Sequence, residues 1–400
     1  MTTDFNPVHD AGFIKDPLPR LKQAWAESPI VRHENLSTTH SVFSYDDLRI
    51  VFSNPEVFGS EIPPLAKTRA LGRLLDNLIA IDPPRHTRLR ALANRGFLPA
   101  AIRRYVPRTE SLVRERIDFL LEQREADIVS DFSAQITIGM ISAILGLPAE
   151  DWPMIRRWTT DIVNNTMVDL WIREEDPERL AVTRRVTDEL ADYVARHIRE
   201  RLRRPLAKDI ISDLMNAEID GDRLSQQDIE STAMLLLLAG NETTTNLITN
   251  FVRCMVWYPD QARLLRAKPD LVASAIEETL RYRPSLRGTA RRVKQATSLH
   301  GVELGPDDNV FGWIVTANRD PARFDRPDEF DIARQPNRHL SFVVGPHVCL
   351  GAPLARMESR IAVEQLMLRT KEFELVGEPE IGANGILDNI LSQRVRVAPA

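Results

Sequence analysis

The chain of 400 residues holds two cysteines, and one of them, Cys349, stands in a segment suited to thiolate chemistry. Phe342 to Gly351 reads FVVGPHVCLG and runs into a helix expected over 354–368. A cysteine in a glycine-bearing loop just ahead of a helix has its thiolate favoured by the helix's positive end and by loop amides. Gly345 and Gly351 lack a Cβ, so the backbone there can approach a flat ligand closely. Phe342 can cover the sulfur and keep water from it. Such a site suits the iron of a haem, to which a thiolate donates electron density. A buried structural cysteine is the plainer alternative. Zinc is a poor fit, because His347 and Cys349 supply only two ligands at unusual spacing. Cys254 lies among Val252, Met255 and Val256 and reads as core packing.

A second group interrupts an apolar stretch. The segment 226–257 has no proline, and Gly240 is its one interior stop signal. Ser225 is a good N-cap, and Tyr258-Pro259 ends the run. Leu235, Leu236 and their neighbours are apolar on every side, which predicts a long helix through the middle of the molecule. Within it stand Ala239, Gly240, Asn241, Glu242, Thr243 and Thr244. Burying an acid and hydroxyls without partners costs several kcal/mol, on the order of 2–7 for a polar group. Such a break in core patterning marks either function or threonines bonding back to the preceding turn.

Cations form a third set. His86 and Arg90 are four apart, on one helical face. Arg291 lies in Thr289-Ala290-Arg291-Arg292, and His347 precedes Cys349 by two residues. Taken singly, each reads as a solvated surface group. Glu278 and Arg281 are three apart on one helix and read, by spacing alone, as a surface ion pair.

Several elements must hold these groups. Leu112, Val113, Ile117, Leu120 and Leu121 make one helical stripe, and Val182 to Leu202 a longer one. Strands are expected over 289–293, 302–304, 310–315 and 395–397. The fold class is mainly α with a small β portion. No linker is visible, so 1–400 is expected to be a single catalytic domain.

The spacing Phe342-x-x-Gly345-x-x-x-Cys349-x-Gly351 resembles the haem-binding signature of the cytochrome P-450 family, soluble bacterial branch. The resemblance runs from about His86 to the helix after Cys349, and the motifs fall in family order. Val343 departs from it, standing where the family usually has glycine; a β-branched residue avoids positive φ, so a differently shaped bend is expected.

The resemblance implies haem b with Cys349 as the axial ligand and the long helix crossing over it. Ala239 and Gly240 would give O2 room, Thr243 would hydrogen-bond the oxygen bound to iron, and Glu242 would relay protons. His86, Arg90, Arg291 and His347 would hold the propionates. Glu278 and Arg281 would form a buried pair, with Arg319 as its third member. The implied activity is monooxygenation. Oxidative coupling, dehydrogenation or peroxide-driven oxidation on the same scaffold is the alternative, and a haem sensor a weaker one, since a sensor needs no proton relay.

Substrate-facing positions are expected at Leu235, Leu236, Leu286, Arg287, Gly288 and Ile386, with segments 60–78 and 163–173 as a lid. This lining suggests a hydrophobic small molecule, and Arg287 a possible anchor for a substrate carboxylate. No flavin or nicotinamide fingerprint is present, so electrons are expected from an external ferredoxin and its reductase. Arg103, Arg104, Arg108, Arg356 and Arg360 would offer that partner a basic face. A net charge of -5 argues against a nucleic-acid surface. The polar start of the chain and the shortness of the apolar run 233–239, against the roughly 20 residues a span needs, predict no membrane anchor. Two cysteines fit a reducing cytoplasm.

Overall fold

A computed structural model of the chain describes residues 10–33, 39–61, 77–169, 177–204, 209–219 and 221–400. Helix makes up 59% of the described residues, against a usual share of roughly a third. The central helix, Gln226–Trp257, runs 32 residues without a break. Ser225 and Asp228 form a reciprocal capping box at its start, and the Tyr258 N–H closes its end on the Cys254 carbonyl. At ~1.5 Å per residue it is about 48 Å long. It packs against Ala134–Leu145, Trp152–Asp169, Pro177–Arg203, Val272–Tyr282 and the cysteine helix Ala352–Arg369. That neighbourhood is why its apolar residues encircle it.

Several buried polar residues of the central helix find partners on the elements packed around it. Thr137 bonds Asn241 Oδ1 at 3.0 Å and Thr245 Oγ1 at 2.7 Å. The Asn241 amide donates to Thr159 Oγ1 at 2.9 Å, and Thr249 pairs with Ser133 at 3.1 Å. Satisfied in this way, the polar groups no longer carry the cost of an unmade bond.

A five-stranded sheet lies to one side, in the order Ile30–His33, Thr39–Val42, Asn309–Gly312, Thr289–Val293, Phe58–Gly59. Its one parallel pairing joins Thr39–Val42 to Asn309–Gly312. A long hairpin, Thr370–Ile381 with Ile390–Pro399, takes Glu125–Asp127 as a third strand. Strands occur as expected at 289–293 and 302–304, and 395–397 lies inside the last strand. The strand expected over 310–315 is shorter. It stops at Gly312, and Ile314–Ala317 is a helical turn. Thr316 fixes that turn by donating to the Phe43 carbonyl at 2.9 Å. A short apolar run has no periodicity to distinguish the two forms.

Two apolar cores lie among the helices and two around the five-stranded sheet. One described helical stretch, Ile128–Leu145, is long and apolar enough to cross a membrane, and 78% of it is buried inside the protein. Of the expected lid, residues 62–76 and 170–173 lie outside the described residues.

Candidate active site

The cysteine loop is held by its own backbone and by the sheet side of the molecule. The Cys349 N–H donates to the Phe342 carbonyl at 2.9 Å, and Val348 to Gly345 at 3.2 Å. Gly345 has φ +77, and a Cβ there would sit 2.3 Å from the Phe52 carbonyl oxygen. Its bareness is therefore required by the packed helix Tyr45–Ser53. Val343 adopts φ +58. The expectation that a β-branched residue would reshape this bend is overturned: the left-handed turn is kept. Such a conformation costs a non-glycine residue about 1–2 kcal/mol, which the packing of Val343 against the core beside Phe52 offsets.

Burial raises the Cys349 thiol above its ordinary value, while the Gly351 and Ala352 amides and the charges of Arg90 and Arg356 act the other way. A metal ion settles such a contest, because a coordinating thiol is deprotonated outright. Arg356 lies 4.5 Å over the Phe342 ring. Cys254 is fully buried in the central helix, its thiol pushed up to about 12 by desolvation.

The four expected cations converge. The rings of His86 and His347 are 4.2 Å apart. None of their four nitrogens has a partner in normal hydrogen-bond geometry, although the Leu78 backbone lies near His347. Burial, then Arg291, His86 and Arg90, pulls His347 down to about 3. Arg291 is buried, and desolvation lowers it to about 10 with only Asp82 in opposition. Arg90 donates Nε to Asn94 at 3.0 Å, and its charge is felt at Cys349. Two arginines and two unpartnered imidazoles, with Asp82 the one nearby carboxylate named above, suit a ligand carrying two carboxylates next to a metal at Cys349.

Across from them, Ala239 is exposed midway along an otherwise buried helix. Thr243 Oγ1 donates to the Ala239 carbonyl at 2.6 Å, the local back-bond that threonine in a helix offers. Gly240 serves packing, since a Cβ there would meet Ile141 at 3.2 Å. Glu242 is buried and points to the helix Trp152–Asp169, where Thr160 Oγ1 donates to it at 2.8 Å. Burial raises its carboxyl above the ordinary value, against Thr160 and the nearby Arg156. A cleft of about 370 Å³, lined by Arg156, Thr160, Glu242 and Thr245 among others, opens beside it.

The charged scaffold differs from expectation in one member. Glu278 and Arg281 are fully buried and joined at 2.8 Å. Arg281 also donates to the carbonyls of Asn318, Pro327 and Glu329. The third member, the second arginine on Glu278, is Arg334, at 3.2 Å. Arg319 instead donates to the Tyr282 carbonyl at 2.9 Å, lies 3.8 Å over the Tyr282 ring and pairs with Asp328. Spacing along the chain could not rank these two arginines. Three connections escaped the sequence reading. Asn318 accepts from Leu340 N at 2.7 Å and donates to Ser341. Ser341 donates to the Leu280 carbonyl. Glu277 takes two bonds from Arg356 and one from His339.

The substrate-facing positions divide. Leu235 and Leu236 are each 8% exposed, at the edge of a helical core. Leu286 bridges to Leu387, so the turns at 285–288 and 386–387 do meet. Ile386 itself is packed in the core with Phe13 and Trp313. Gly288 is bare because a Cβ would strike the Phe311 ring at 2.3 Å. The carboxylate-anchor expectation for Arg287 fails. Its guanidinium is buried and committed to Asp388 at 2.6 Å and to the Ile14 carbonyl at 2.7 Å.

The family model for cytochrome P450 matches residues 27–268 and 265–382. The chain belongs to the cytochrome P450 family. It is 35% identical over 382 residues to the putative cytochrome P450 YjiB of Bacillus subtilis, covering 95% of this chain and 94% of that one. A crystal structure of P450BioI in complex with hexadec-9Z-enoic acid ligated acyl carrier protein superposes with a TM-score of 0.89. It shares 30% identity and covers 97% of this chain and 100% of its own. CYP109E1 from Bacillus megaterium, in complex with testosterone, gives 0.88 at 32% identity, covering 97% and 99%. This P450 is thus a haem-thiolate monooxygenase, an oxidoreductase using O2 and a small-molecule substrate, with haem b on a cysteine sulfur. The donor set described above fits that group: a sulfur for the iron, and two arginines with two unpartnered imidazoles for its propionates.

Proposed function

We propose that Cys349 is the thiolate ligand, that His86, Arg90, Arg291 and His347 bind the haem propionates, and that the whole chain is one catalytic unit oxidising an apolar small molecule. The observation that carries this reading is the cluster gathered beside the Cys349 loop, in which the His86 and His347 rings have no hydrogen-bond partner and lie with Arg90 and the buried Arg291. Bound there, the haem supplies O2 reduction and oxygen insertion. The chain's own residues govern access and protons. Glu242, raised by burial and reached from the Arg156–Thr160 cleft, holds a proton at its carboxyl for delivery toward Thr243. Ala239, small and exposed on the helix, leaves room beside the Thr243 hydroxyl. Leu235, Leu236 and Leu286 present apolar surface to the substrate. The steroid and fatty-acyl ligands of the solved neighbours are of that chemical kind.

Electrons come from an external ferredoxin and its reductase, in a reducing cytoplasm where Cys254 and Cys349 form no disulfide. The deciding experiment is the absorption spectrum of the reduced protein under CO. A strongly red-shifted Soret band is expected for wild type and for Cys254→Ser, and its loss for Cys349→Ser. A band that survives Cys349→Ser overturns the ligand assignment. Product formation with O2 and reductant, compared with peroxide alone, tests the electron source.

A further inference from the structure

The residue that takes the carboxylate role expected near Arg287 belongs to the protein. Asp388 is buried and stands at the junction of four segments. Its Oδ1 accepts from Arg287 at 2.6 Å and from Arg283 Nη2 at 3.1 Å. Its Oδ2 accepts from Asn250 Nδ2 at 2.8 Å and from Arg283 Nε at 3.2 Å. Asn250 in turn accepts from Arg253 Nη1 at 3.1 Å. Two arginines therefore share one carboxylate in the interior and a third reaches it through Asn250, an arrangement in which the anion is hard to replace.

Backbone bonds carry this junction to both sides of the reacting space. Arg287 N donates to the Ile386 carbonyl at 2.7 Å, and Asp388 N to the Ser285 carbonyl at 2.9 Å. Leu286 and Leu387 are bridged between those two bonds. Ser285 Oγ then donates to the Thr243 carbonyl at 2.7 Å. The hub thus fixes two turns against each other and clasps them to the helical turn carrying Glu242 and Thr243.

We infer that Asp388 and Ser285 are positioning residues: Asp388 sets the register of the 285–288 and 386–387 turns, and Ser285 locks that register to Thr243. Substrate shape is thereby read at the same place where the proton-bearing segment is held. The inference rests on the reading that these turns and Thr243 border one reacting space. It differs from the Cys349 assignment in the atoms it concerns.

The test uses holoenzyme and two distal probes, imidazole and 4-phenylimidazole, with affinities read from their absorbance changes. The larger probe reaches the turns and the smaller one does not. In Asp388→Asn, 4-phenylimidazole is expected to weaken about tenfold, and in Ser285→Ala about threefold, with imidazole within about twofold of wild type in both. Ser285→Thr, which keeps the hydroxyl, should restore the wild-type ratio. The wild-type CO spectrum is recorded first. Its failure to shift defeats the ligand assignment and leaves the ratio between the two probes as the measure of this inference. Should Asp388→Asn not take up haem, the Ser285→Ala and Ser285→Thr pair decides. Equal weakening of both probes, or no change in either, overturns the proposal.

Discussion

Arg334 and Arg319 lie fifteen positions apart in the chain, yet only one of them faces Glu278. Breaking a buried ion pair from one side costs about 3–5 kcal/mol, because the remaining charge stays buried. Arg334→Met should therefore lower the thermal midpoint and haem content well below those of Arg319→Met, whose partner Asp328 is largely solvated. Equal losses in the two variants would return Arg319 to the scaffold. Glu242→Gln keeps the shape and the Thr160 contact but removes the titrating proton. Product formation is expected to fall about 100-fold, in the range of lost general acid–base assistance, with the substrate-induced spectral shift unchanged. Gly345→Ala sets a methyl against the Phe52 carbonyl, and purified protein is expected to come out largely free of haem.

At the scale of elements, Glu277 ties the helix Val272–Tyr282 to the cysteine helix through Arg356 and to the loop's approach through His339. Burial opposes its ionisation, but the bonds from Arg356 and His339 outweigh that and hold Glu277 down at about 2. A carboxyl whose pKa is depressed on folding stabilises the folded state above its unfolded pKa, and the contribution is lost as pH falls through the folded one. The clasp thus stabilises the fold at neutral pH, and that contribution should disappear between about pH 4.5 and pH 2. Acid release of haem in that window should be blunted in Glu277→Gln, which lacks the clasp at every pH and is less stable at pH 7. Identical acid profiles for the two proteins would place the sensitive group elsewhere.

Over the whole molecule, the five arginines proposed for a redox partner are not equivalent. Arg104 is held by Asp213, Arg356 by Glu277, and Arg360 approaches Glu364. Arg103 and Arg108 are exposed and make no ion pair among the described residues. Turnover with an acidic ferredoxin should accordingly slow with rising ionic strength. Arg103→Glu and Arg108→Glu should reduce it without touching the CO spectrum, while Arg356→Glu should damage both. The sequence made this much legible because periodicity and capping are local: Ser225, Asp228 and Tyr258 delimit the central helix within the chain itself. The cations near Cys349 were legible through a resemblance. Arg334, Asn318, Ser285 and Asp388 were not, since the partners that place them lie between 22 and 138 positions away and no pattern in the chain marks such a pairing. Val343 misled for the opposite reason: a local steric rule yielded to packing.

The Ile14 carbonyl that receives Arg287 lies in the short helix Ala11–Lys15, where Phe13 is fully buried edge-to-face on Trp313. An investigator who trims the protein's first sixteen residues, to help expression or to fit a tag, would strip an acceptor from the same guanidinium that answers to Asp388. Such a shortened enzyme is expected to keep its colour and lose discrimination among bulky ligands, so the beginning of the polypeptide belongs with the selectivity of the catalyst.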